Sequence, residues 1–88
     1  MGEVKTTGVI HLEGDPPYDL VITTKETFHT ECQSYRPDPR EILKVGETYE
    51  SMIIFEESIG PLGKTILTPK AIIVTLKKNR QVRLSKVR

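Results

Sequence analysis

The sequence predicts an all-β barrel carrying one short helix. Three observations lead there. β-Branched residues dominate the periodic segments, Gly and Pro punctuate them at regular intervals, and helical signals are confined to one stretch of about two turns. A chain of 88 residues suits a single domain spanning residues 1–88. With five aromatic residues and no Trp, aliphatic side chains must build most of the core.

Residues 8–12 alternate as a strand, with Ile10 and Leu12 on one face and Val9 and His11 on the other. The stretch 13–17 then forces a turn, because Pro16 and Pro17 cannot feed a central ladder. Residues 18–24 read as a second strand, with Tyr18, Leu20 and Ile22 on one side. Extended character resumes over 28–32, as a third strand or as the continuation of a bent one. Residues 33–39 form a loop. Asp38 then serves as N-cap, Pro39 suits the first helical position, Glu41 completes a capping-box spacing, and Gly46 supplies a left-handed stop. The rival to this helix is an extended lead-in that turns at Val45 and Gly46.

Residues 47–56 form a strand whose middle, Met52, Ile53, Ile54 and Phe55, is apolar on both faces, as in the centre of a barrel. Residues 58–63 make a glycine-containing loop. The strand over 64–76 is interrupted at Pro69, which calls for a bulge or an edge. Residues 71–76 and 81–87 pair as a hairpin turning near Lys78, Asn79 and Arg80. The expected architecture is a small closed or partly open barrel of five to six strands. Its element order is OB-like, and an SH3-like barrel or small sandwich is the alternative.

Several chemistries are disfavoured. The run Gly60, Pro61, Leu62, Gly63, Lys64, Thr65 imitates the end of a phosphate loop, but Ser58 stands where the first glycine belongs. The residues after it read as a strand rather than the required helix. Gly60 and Gly63 are therefore loop formers. His11, His29 and Cys32 fall short of the four ligands zinc prefers, so no metal or other cofactor is expected and Cys32 reads as a buried thiol. His29 with Ser34, or Glu13, Asp15 and Asp19 as paired carboxylates, lack a spacing that forces catalytic geometry. A binding role is expected rather than an enzyme. A single cysteine, a polar start and no apolar run beyond four residues suggest a cytoplasmic chain without a membrane partner.

Charge is distributed unevenly. All twelve acids lie between Glu3 and Glu57, whereas residues 58–88 hold eight bases and no acid. Six of those bases, Lys77, Lys78, Arg80, Arg83, Lys86 and Arg88, belong to the terminal hairpin, the expected nucleic-acid-binding site on DNA or RNA backbones. Base stacking would need Tyr18, Phe28, Tyr35 or Tyr49, since no aromatic follows Phe55. A protein partner or self-association through the same charged strand is the equal alternative. A third outcome is cancellation of the charge by the chain's own acidic strands.

Overall fold

Alternation along β1 (Gly2–Glu13) sets the plan of the computed structural model, which describes residues 2–87. Ile10 and Leu12 point into a core and are buried, whereas His11 and Glu13 face away. β1 pairs with β2 (Asp19–Thr23) only from Val9 onward, and β2 pairs with β3 (Thr27–Glu31). After a three-residue 3-10 turn, Tyr35 and Arg36 form the two-residue β4. The short helix α1 (Pro39–Ile42) precedes β5 (Thr48–Ile59), β6 (Thr65–Thr75) and β7 (Gln81–Lys86).

The seven antiparallel strands make one sheet in the order β3-β2-β1-β5-β6-β7-β4, curled into a half-barrel. Its two edges, β3 and β4, are neighbours in sequence, so the 3-10 turn at Cys32–Ser34 draws the ends of the sheet together. The amide of Val87 donates to the Ser34 carbonyl at 2.9 Å beside that junction. The concave face holds the core: Ile10, Leu20, Ile22, Ile53, Ile72, Val74 and Leu84 are fully buried, with Tyr35 and Phe55. Each such aliphatic side chain contributes about 1.5–3 kcal/mol. Phe28 on β3 reaches across the curl to Phe55 on β5, with ring centroids 5.2 Å apart.

The six longer strands fall on segments that the sequence marks as extended, and the seventh is the two-residue β4. Two strands run further than expected. β1 begins at Gly2 rather than near Gly8, and β5 continues to Ile59. Mostly polar residues occupy these extensions, with Val4 half-buried against the core and Ile59 exposed as the exceptions. The helix is shorter than its signals suggest. Asp38 caps it, accepting from the Arg40 amide at 2.9 Å, but Leu43 is already extended. Gly46, at φ +89°, turns the chain into β5 instead of stopping the helix. At Pro69 the β5–β6 register shifts, so the expected bulge is present.

β1, β5 and β6 outrun their neighbours. Residues 2–8 of β1 lack the β2 partner, and residues 65–70 of β6 lack the β7 partner. Around residues 55–57 of β5 the sheet is three strands wide, and among the described residues Ser58 and Ile59 pair with β6 alone, so this end projects as an arm from the body.

Candidate functional site

The terminal hairpin forms at the expected place, and its turn is tight. Leu76 donates its amide to the Arg80 carbonyl at 2.6 Å, and Lys78 and Asn79 take left-handed φ values of 64° and 58°. Asn tolerates that conformation better than Lys does. The turn pushes Lys77, Lys78 and Arg80 into solvent, where all three are exposed.

These cations rim an open groove of about 870 Å³. Ile42, Tyr49 and Leu76 form its apolar walls, each half-buried against the core. Lys44 joins the rim from the chain between α1 and β5, and its amide donates to the Tyr49 hydroxyl at 2.8 Å. Glu47 and Glu50 are the acids of the lining, set against four bases. Among the described residues, no acidic group lies within 4.0 Å of the charged ends of Lys77, Lys78, Arg80 or Lys44.

The remaining hairpin cations are elsewhere. Arg83 is on the convex face, opposite Ile73 of β6. Lys86 is half-buried on the same side of β7 as Leu84, at the strand end away from the turn. It stands six positions along the chain from Arg80, about 20 Å. Arg88 lies outside the described residues. The expected six-residue surface is therefore three cations at a turn plus separate charges along the strand.

Neutralisation by the N-terminal acids is real but local. Lys70, the residue at the Pro69 bulge, places its ammonium 3.0 Å from Glu3 Oε2 and 3.9 Å from Glu56 Oε2. That hydrogen bond, chiefly, holds the Glu3 carboxyl below its ordinary pKa, and the charges of Lys5 and Arg83 act in the same direction. This network sits on the arm and the convex face, not at the turn.

Two arrangements were hidden from sequence reasoning. Strand register places Glu13 opposite Asp19, and Asp19 opposite Glu31, in one exposed cross-strand row. Carboxylates that look dispersed in the chain thus share a line. Lys44 was the second, since nothing local links it to a turn more than thirty residues away. Its only signal was the lysine beside the predicted helix.

Cys32 is buried, and its Sγ lies 3.2 Å from the Tyr18 carbonyl oxygen, to which it donates. Burial, above all, pushes the thiol pKa up, which lowers its reactivity. His11 approaches Glu13 at 3.3 Å, while His29 is exposed on β3. Among the described residues, no three His, Cys, Asp or Glu side chains converge as metal ligands, and no helix is long and apolar enough to cross a membrane. The chain matches no protein-family model, no curated protein and no solved structure.

Proposed function

We propose that the chain is a non-enzymatic nucleic-acid-binding module that engages the phosphate backbone at the β6–β7 turn. One observation carries this reading: Lys77, Lys78 and Arg80, with Lys44, surround an open groove, and among the described residues no acidic group lies within 4.0 Å of their charged ends. Unpaired, solvated cations at a groove are the groups that exchange condensed counterions for contacts with phosphates. Tyr49 offers the groove's one aromatic wall, so phosphate tracking outweighs base stacking. Arg83, Lys86 and Arg88 are secondary in this proposal, extending the field along β7. An OB-like description of the barrel is supported by the three strands and short helix that precede β5, with β7 and the two-residue β4 as its departures. Such a module would be cytoplasmic and cofactor-free.

Titration of fluorescent single-stranded DNA, duplex DNA and RNA across a salt series tests the proposal. The logarithm of affinity should fall linearly with that of salt, by about 0.7–0.9 per phosphate contacted. Lys77→Ala with Arg80→Ala should flatten that slope by about 2. Absence of binding to all three at low salt would overturn it. Protein association is a second reading, favoured by a separate observation, the exposed Ile59 and Leu62 at the tip where β5 turns into β6.

A further inference from the structure

The groove at the β6–β7 turn offers more than a phosphate needs. Its rim, Lys44, Lys77, Lys78 and Arg80, is enough to meet phosphates, yet apolar walls stand behind that rim. Tyr49 is the flat wall. Its hydroxyl accepts the Lys44 amide at 2.8 Å and its ring packs against the core, so the ring is held in place before a ligand arrives. Ile42 and Leu76, also half-buried against the core, complete a surface with nothing to give a phosphate. Glu47 and Glu50 stand on either side of Tyr49 in the chain, line the same groove and are exposed. Among the described residues, neither carboxylate has a cation within 4.0 Å. Ionised carboxylates repel phosphate, and they accept hydrogen bonds without donating any.

A duplex presents its phosphates and the edges of its bases, while the faces of the bases stay stacked. Only an unpaired base can lay its face on Tyr49 while its strand hands phosphates to the rim. The way out of the groove also suits a strand. A second open groove, of about 750 Å³, shares Glu50 and Thr75 with the first, and Thr7, Thr23 and Thr24 line it further on. Val9 stands opposite both Thr23 of β2 and Glu50 of β5, so this second groove crosses the sheet from strand to strand. From Thr75 to Thr23 the path spans β6, β5, β1 and β2, about 14 Å at the usual strand spacing. Threonine hydroxyls there can bond phosphate and sugar oxygens. A free nucleotide would leave that second groove unused.

We propose that the groove binds single-stranded nucleic acid and selects, at one position, a base that carries an exocyclic amino group. That base lies on Tyr49 with Ile42 and Leu76 beside it, and its amino group donates to a carboxylate of Glu47 or Glu50. The amino groups of cytosine and adenine are such donors, whereas uracil and thymine hold a carbonyl oxygen where cytosine has its amino group, and a carboxylate repels that oxygen. Flanking phosphates take Lys77, Lys78 and Arg80, and the strand leaves over Thr75 into the second groove. With one aromatic wall, the groove reads one base rather than a stack. This selectivity rests on the nucleic-acid reading of the groove and adds strandedness and a base preference to it.

Fluorescence titration of the full chain with oligo(C) and oligo(U), as RNA and as DNA, tests it; oligomers of about eight nucleotides fall within the site size of small binding modules. At one low salt concentration, oligo(C) should bind about tenfold more tightly than oligo(U), as one hydrogen bond to a charged group provides. A duplex of the same length should bind more weakly than oligo(C). Glu47→Ala with Glu50→Ala, both at exposed positions, should bring the two oligomers to the same affinity and raise that for oligo(U), because two charges that repel phosphate are gone. Equal affinity of the wild type for oligo(C) and oligo(U), or a duplex bound as tightly as oligo(C), overturns the selectivity and leaves backbone binding standing. A preference for oligo(C) that survives loss of both carboxylates overturns it as well. Absence of binding to every oligomer overturns this proposal and the nucleic-acid reading together.

Discussion

β1, β5 and β6 each run through both the body and the arm, yet the same strands carry different kinds of residue in the two places. In the body, β5 contributes the fully buried Ile53, and β6 contributes Ile72 and Val74. In the arm, the same two strands present Glu56, Ile59, Ile66 and Leu67 to solvent. Backbone pairing is continuous across the boundary, so hydrogen bonding does not distinguish them. What differs is the second layer. The sheet curls over itself where β2, β3 and β7 extend it, and Phe55, covered by Phe28 from across the curl, is the last residue of β5 to leave water.

That contrast implies a steep gradient of mutational cost. Leu84→Ala or Ile53→Ala, in the body, should destabilise by about 2–5 kcal/mol. Leu62→Ala, at the arm tip, should stay within about 0.5 kcal/mol of wild type. Urea unfolding measures both, and equal costs would mean the tip is covered in solution.

Glycine on a single strand sharpens the same comparison. A Cβ at Gly8 would stand 2.8 Å from the Thr23 carbonyl oxygen and 2.9 Å from Thr24 Cγ2, where β2 begins to overlap β1. At Gly2, in the arm, it would meet nothing within 4 Å. Gly8→Ala should therefore cost about 1–3 kcal/mol by forcing backbone apart. Gly2→Ala should leave the denaturation midpoint in place.

A cost below that at Gly8 attaches to the cap that directs the chain from β4 to β5. Asp38→Ala should cost about 1 kcal/mol. Hydrogen bonding from Arg40, foremost, depresses the Asp38 pKa, with Arg40 Nη2 2.7 Å from Oδ2. A depressed folded pKa means that stability is present above the unfolded value, about 4, and is lost as pH falls through the folded one. Asp38→Asn, which keeps a capping oxygen, should flatten the acid side of the stability–pH curve. An unchanged acid limb would show that this pair contributes nothing to it.

Extended segments were legible because a strand reports itself through neighbours two residues apart. Pro69 announced its bulge, and Asp38 with Pro39 announced the helix start, for equally local reasons. Helix length was not legible. Gly46 suits a helix end and a turn into a strand alike, and packing of the buried Leu43 chose the second. The basic cluster at Lys77, Lys78 and Arg80 could be read from the hairpin, but the groove beneath it could not. Tyr49 reaches it through the sheet, and Lys44 is brought there by the bond from its amide to the Tyr49 hydroxyl.

Local chemistry alone thus specified an all-β chain, its punctuation and the surplus of cations after residue 58. Tertiary structure decided which charges stand together. Register aligned Glu13, Asp19 and Glu31 in one row, drew Lys70 to Glu3, and left the turn cations around their groove without an ion-pair partner among the described residues. It also left an apolar tip that no described residue covers. The physical reason is range. Alternation and turn chemistry act over a few residues, whereas charge pairing and burial depend on strands that the curl of the sheet brings together from distant parts of the chain.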